Sequence, residues 1–317
     1  MTSSEKIISK LRLAKALNKL SKGICLVSII GRPNVGKSTF LNYVLGQKIS
    51  IVSPKAQTTR NQITGIYTTK DEQIIFIDTP GIHKPKNALG KVMNDYSIST
   101  LRDVDEIMWI VDGTQNFGEG DKFIIELLKK TNNKVYLVVN KMDLINDKKR
   151  LSKNIDNFVN SYKFEDVFYI SAKEGTNVDK LLKGLSNTLE EGPMYYPEDQ
   201  ITNNPQSFVI SELIREKVLL LTKEEVPHSI AVVVESMNRD EDDLLNIHAA
   251  IIVERSSQKK IIIGSKGSMI KQIGTLARKE IVMLLGEKIY LELWVKVEEG
   301  WRDKQFLLKQ YGYNKDI

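Results

Sequence analysis

The sequence predicts an α/β protein: a doubly wound, mainly parallel sheet built around a phosphate loop, followed by a smaller α+β domain. Three observations carry this. Residues 24–187 alternate short apolar runs with longer stretches of helical period, the rhythm of βαβ units. Gly31-Arg32-Pro33-Asn34-Val35-Gly36-Lys37-Ser38 satisfies G-x-x-x-x-G-K-[ST] between an apolar run and a helical pattern. Gly192, Pro193, Pro197, Asn203, Asn204 and Pro205 then interrupt the pattern, and the order of elements changes beyond them.

The first apolar run, 24–30, enters the phosphate loop, and Phe40, Leu41, Val44 and Leu45 follow at helical spacing. Runs at 74–77, 107–111, 135–139 and 167–170 are too continuous for strands with one wet face, so they belong inside a sheet covered on both sides. Residues 63–68, a turn at Thr69-Lys70-Asp71-Glu72 and the run 74–77 read as an antiparallel hairpin at the sheet edge. In the second half the patterns predict a helix over 212–223, strands over 229–237 and 246–254, a short apolar strand or turn at 260–263, a helix over 268–285 and a strand over 290–297. The domain scheme is a basic extension 1–22, an α/β domain 23–190, a linker 191–206, an α+β domain 207–298 and a tail 299–317. No internal repeat or low-complexity tract is evident.

Composition sets outer limits. Of 317 residues, 41% are hydrophobic and 27% charged, as in ordinary globular chains, and the length fits two compact domains. The single cysteine, Cys25, sits in the first apolar run; it reads as a small core residue, excludes an intrachain disulfide and fits a reducing cytosol. No apolar run approaches the roughly 20 residues of a membrane span. The net charge of +6 keeps nucleic acid and anionic membrane surfaces among candidate partners. Part of that charge is Lys6, Lys10, Arg12, Lys15, Lys19 and Lys22, alongside Leu13, Leu17 and Leu20 on one helical face. That extension suits an amphipathic membrane or RNA contact, an organellar targeting segment, or a solvated extension, and the residues do not choose.

The phosphate loop and three further strand ends converge on one ligand. In the loop, backbone N–H groups surround the β-phosphate, Lys37 bridges the β- and γ-phosphates, and Ser38, followed by Thr39, offers a hydroxyl to Mg²⁺. Asp78-Thr79-Pro80-Gly81 follows the run 74–77; Asp78 suits Mg²⁺ through water and Gly81 the approach of an amide to the γ-phosphate. Asn140-Lys141-Met142-Asp143 follows the run 135–139. Its Asp143 carboxylate accepts from guanine N1–H and the exocyclic amine, whereas adenine would leave it unpaired, a loss that discriminates by about 10⁴. Ser171-Ala172-Lys173 ends the run 167–170 and brings a backbone amide to guanine O6. Four motifs in this order at four strand ends specify GTP.

In the second half, Gly264-Ser265-Lys266-Gly267 forms a G-x-x-G loop ahead of a long helix, which on the motif alone is either the KH signature for single-stranded nucleic acid or a turn and helix start that happens to contain two glycines. Lys266 and Lys271 suit phosphate contacts, and Arg278 and Lys279 extend them. Met269, Leu276, Met283 and Leu284 read as helix core. Trp301, Phe306, Leu307 and Tyr311 in the tail pack on this domain or on a partner.

With Gln57-Thr58-Thr59-Arg60-Asn61 added, these stretches resemble the five motifs of translation-factor-class GTPases. The wording from Lys48 through Arg60, Gly65-Ile66, and Asp78 through Ile82 and His83 closely resembles the Era family of bacterial GTPases, over nearly everything after Lys22. The resemblance implies a P-loop GTPase domain and a type II KH domain. It implies GTP hydrolysis with Lys37, Thr59 and Gly81 catalytic, and a first switch carrying Thr58 and Thr59, of which Thr59 is favoured for Mg²⁺. It further implies binding at the 3′ end of 16S rRNA, a role in 30S subunit maturation, a monomer, and a bacterial cytoplasm with peripheral membrane contact.

Ile82 stands where related enzymes orient water with glutamine, so intrinsic hydrolysis is expected to be slow. His83 is read either as a substitute base or as a structural switch histidine. Asn34 resembles the residue that binds K⁺ in related GTPases. Two alternatives stay open on the residues alone: a GTPase acting on another RNA or at the membrane surface, and an RNA-binding module with negligible turnover.

Overall fold

The computed structural model describes residues 22–55, 58–82, 85, 87–187, 189–223 and 226–313. Residues 1–21 of the basic extension, Gln57 and His83 lie outside the described residues.

The first domain is a sheet with strand order β2-β3-β1-β4-β5-β6. β1 (Lys22–Ile30) lies parallel between β3 (Glu72–Asp78) and β4 (Glu106–Asp112), and β5 (Lys134–Asn140) and β6 (Asp166–Tyr169) continue in parallel. β2 (Ile63–Thr68) pairs antiparallel with β3 at the edge, so the hairpin reading holds. Continuous apolar strands bury both faces. Phe40 and Leu41 of α1 (Lys37–Leu45) and Leu181 and Leu185 of α5 (Val178–Ser186) cover one face. Ile124 and Leu128 of α3 (Glu119–Leu128) and Ile155 and Phe158 of α4 (Lys148–Ser161) cover the other. Cys25 is buried in the core beneath α1 and α5.

The stretch expected as a linker does not hang free. β7 (Glu190–Gly192) pairs antiparallel with the start of β1, and Ile201 O accepts from Ile66 N at 2.8 Å, so the chain runs along the edge of the first domain. Satisfying the edge amides of β2 explains why a proline- and asparagine-rich segment is ordered here.

The second domain packs α6 (Gln206–Leu221), α7 (Ser256–Ile263) and α8 (Ser268–Leu285) on one face of a sheet ordered β10-β9-β8. β8 (Ala231–Arg239) and β9 (Leu245–Val253) are antiparallel, and β10 (Ile289–Val297) lies parallel to β9. This α-β-β-α-α-β order is the type II KH arrangement. Two expectations are corrected. Residues 260–263 end helix α7 and are not a strand: Gln258 Oε1 accepts the Glu254 and Arg255 amides, capping the helix, and Ile262 anchors it in the core. Along α8 the buried stripe is Ile273, Ala277 and Ile281, whereas Leu276 and Met283 are exposed.

The tail settles between the domains. Trp301, Leu308 and Tyr313 fill the space between the outer face of the KH sheet (Ala231, Ala250, Ile252) and α2 (Ala88–Thr100) of the GTPase domain. Trp301 Nε1 donates to Ser229 O at 2.9 Å. Phe306 faces solvent. Among the described residues, no helix is long and apolar enough to cross a membrane.

Candidate nucleotide site and nucleic-acid interface

Strand ends β1, β3, β5 and β6 bring the predicted residues to one pole of the sheet, where doubly wound folds place ligands. A cavity of about 370 Å³ is lined by Pro33, Asn34, Gly36, Lys37, Ser38 and Thr39 of the phosphate loop, by Thr58 and Thr59, and by Gly81 and Lys141. Gly36 adopts φ +102°, and a Cβ there would lie 2.2 Å from Asn140 Nδ2, so the loop can close only on glycine. Val35 is buried beneath it.

Lys37 is buried, its Nζ donating to the carbonyls of Gly31 and Arg32, each at 3.2 Å. Burial lowers its ammonium to about 8, against the opposing pull of Asp78. The Arg32 guanidinium turns away from the cavity to the buried carboxylate of Asp121 at 3.2 Å, so Arg32 contributes backbone and not charge to the phosphate site.

The metal ligands expected from the sequence meet at one point. Ser38 Oγ lies 3.0 Å from Thr59 Oγ1 and donates to Asp78 Oδ2 at 2.9 Å. Thr58 Oγ1 instead donates to the Lys55 carbonyl at 2.7 Å, so Thr59 is the threonine at this point. Asp78 is fully buried, and its Oδ1 has no hydrogen-bond partner among the described residues. Burial pushes its carboxyl up, opposed by Lys37 and the Ser38 and Ser50 hydroxyls. An orphaned buried carboxylate oxygen beside two hydroxyls is the hard-oxygen donor set Mg²⁺ takes, so the residues fit the ion. Thr79 Oγ1 is tied back to Ile29 O, and Pro80 O accepts from Ser97. Both hold the loop that presents Gly81. Ile82 is buried in the core beside Ile30 and Ile77, retracted as an aliphatic residue at that place should be.

At the base end, Asp143 Oδ1 accepts from Ser171 Oγ at 2.6 Å. Asn140 donates to Val35 O and accepts from Ala172 N, both at 2.9 Å, joining the phosphate loop to the base loop. Met142 N donates to Ile170 O, and Lys173 is exposed. Lys141 adopts φ +67° and reaches Asp112 Oδ2 at 2.6 Å. Arg60, within the predicted switch, does not face the nucleotide cavity: it is buried and donates to the carbonyls of Ile230 (2.5 Å) and Pro227 (3.2 Å) in the KH domain. Asn61 is half-buried beside it.

In the KH domain the Gly264-Ser265-Lys266-Gly267 turn links α7 to α8, with φ +73° at Gly264 and +78° at Gly267. A Cβ on Gly264 would lie 2.7 Å from Met269 Cβ. Lys266 and Lys271 are exposed. A groove of about 770 Å³ continues between α8 and the edge strand β10, its walls including Lys271, Arg278, Lys279, Lys288, Met283 and Tyr290. Exposed apolar walls with a lysine and arginine rim suit unstacked bases on a phosphate backbone.

A family model described as a 50S ribosome-binding GTPase matches residues 26–141, and a KH-domain model matches residues 225–302. Among solved structures, an Era variant from Aquifex aeolicus bound to GDP and aluminium fluoride is 41% identical, covers 92% of this chain and 99% of its own, and superposes with a TM-score of 0.88. The chain belongs to the Era family of GTPases. A second Era structure, in complex with MgGDPNP and nucleotides 1506–1542 of 16S ribosomal RNA, is likewise 41% identical over the same shares, with a TM-score of 0.89. The expected Era architecture, a P-loop GTPase sheet followed by a KH domain, therefore holds.

Sequence reasoning missed Ser50, Asp112 and Asp121, which orient Asp78, Lys141 and Arg32 respectively. Asp112 carried a signal, since it ends β4 at the same pole as the other motifs. Ser50 and Asp121 carried none, because their partners are distant in sequence. Lys288 and Tyr290 were also missed; they border the groove only because β10 is an edge strand.

Proposed function

We propose that this Era-family GTPase hydrolyses GTP to GDP and phosphate and binds the 3′ end region of 16S rRNA as a step in 30S subunit maturation. The observation that carries the reaction is the meeting of Ser38, Thr59 and Asp78 beside Lys37 in one cavity. Lys37 binds the β- and γ-phosphates, Asp143 and the Ala172 amide orient guanine, and Gly81 brings the second switch to the γ-phosphate. Mg²⁺ held by Ser38, Thr59 and, through water, Asp78 supplies charge neutralisation on the transferred phosphoryl group. With Ile82 buried, no side chain at that position orients the attacking water, so the unassisted rate is slow.

The RNA assignment is supported by the basic apolar groove beside Gly264–Gly267 and by the rRNA fragment in the related complex. Potassium is the second cofactor of this reading, on the resemblance of Asn34 to the residue that binds K⁺ in related GTPases; Asn34 lines the nucleotide cavity, its Nδ2 donating to the Pro54 carbonyl at 2.9 Å. The protein acts as a cytoplasmic monomer on the 30S subunit, with peripheral contact at the membrane.

Phosphate release measured for wild type and Lys37→Ala, in KCl and in NaCl, tests the chemistry. Lys37→Ala is expected to lose activity by a factor on the order of 10² to 10³, and wild type to turn over faster in KCl. Equal release by both proteins would reduce the nucleotide site to a structural one.

A further inference from the structure

The switch loop that delivers Thr59 is gripped from outside the GTPase domain. Helix α6 of the KH domain turns Glu212, Arg215 and Glu216 toward it, and all three are buried. Glu216 Oε1 accepts from the Val52 amide at 2.9 Å. Arg215 Nη2 donates to the Thr58 carbonyl, while Glu212 holds the same guanidinium through two bonds of 2.7 and 2.6 Å. Thr58 and Thr59 share a peptide bond, so fixing that carbonyl fixes the backbone that aims the Thr59 hydroxyl. A second grip holds Glu216 itself. Lys48 bridges Glu216 (2.6 Å) and Glu280 (2.9 Å), and Lys217 bridges the same two carboxylates, closing a ring of alternating charge between the start of the switch loop, α6 and α8. Withdrawing Lys48 would leave two carboxylates to share one lysine, with Glu216 only 2% exposed, which favours the docked loop.

We infer that Arg215 and Glu216 of the KH domain are positioning residues of the GTPase site, setting Thr59 beside Ser38 and Asp78 through the backbone of Thr58 and Val52. This rests on the GTPase reading and deepens it: the RNA-binding domain completes the site from within the same chain. A merely structural role would weaken binding of every nucleotide alike. A positioning role acts only where the Thr59 hydroxyl is engaged, that is, with a γ-phosphate and Mg²⁺ present.

The test uses the full chain, with equilibrium affinities for a non-hydrolysable GTP analogue and for GDP, each in Mg²⁺ and in EDTA. Arg215→Ala is expected to weaken the analogue in Mg²⁺ about tenfold, leave GDP within about twofold, and lose the difference in EDTA. Lys48→Ala, which opens the ring from a half-exposed position, should shift the same way by about threefold. Arg215→Ala added to Thr59→Ala should cost nothing further, since both act through one hydroxyl. Folded variants that bind the analogue like wild type, or that lose GDP and analogue equally, would overturn the inference. If Arg215→Ala does not fold, Lys48→Ala decides by the same criteria. Wild-type protein that binds neither nucleotide would instead sink the GTPase reading.

Discussion

At the scale of single residues, Lys37 ties charge to ligand. Its ammonium, lowered to about 8 by burial, regains its full proton when phosphates pair with it. GTP binding near pH 8.5 should therefore take up part of a proton, and affinity should fall as pH rises above about 8. Calorimetry in two buffers of different ionisation heat reads the uptake directly; a heat independent of buffer would contradict it. Asp143→Asn exchanges a carboxylate for an amide against the guanine donors and should weaken GTP by about 10- to 100-fold, as the loss of charged hydrogen bonds predicts. Competition against labelled GDP measures this. These residues were legible in the sequence because each motif binds through its own backbone and nearest side chains. The residues that hold them, Asp121 for Arg32 and Ser50 for Asp78, were not, because those contacts exist only after segments from different parts of the chain are side by side.

At the scale of elements, the strands of the GTPase sheet were readable because burial on both faces leaves uninterrupted apolar runs, which no loop sustains. The KH helices were less so. Ile261-Ile262-Ile263 is a β-branched run with strand propensity, yet it closes α7, where the Gln258 cap and the burial of Ile262 outweigh local preference. In α6 the charged residues Glu212, Arg215, Glu216 and Lys217 would ordinarily mark a wet face, but every one is buried against the switch loop or α8. Periodicity cannot report a face that another domain covers. The tail gives a prediction at this scale. Trp301 is fully buried between the KH sheet and α2, so Trp301→Ala should destabilise the protein by about 3–5 kcal/mol, read as a lower melting temperature. An unchanged melt would mean that the tail does not join the two domains in solution.

At the scale of the whole molecule, the nucleotide cavity and the KH groove are linked by three separate contacts: α6 on the first switch loop, Arg60 on the carbonyls before β8, and the tail against α2 behind the second switch. The first two begin at the switch loop that carries Thr58 and Thr59, a segment that answers to the γ-phosphate in GTPases. Under the proposed function, GTP is expected to favour the RNA-competent arrangement of the domains and hydrolysis to release it. The proposed function joins the two halves of the molecule on one RNA. Crosslinking the protein to RNA in its own cells, for wild type and for chains carrying Gly264→Asp and Gly267→Asp, tests that claim most directly. Aspartate in the turn puts negative charge and a strained side chain where the RNA backbone approaches. Contacts concentrated at the 3′ end of 16S rRNA and lost in the variant chains are the predicted result; contacts elsewhere, or contacts unchanged by the substitutions, would contradict it.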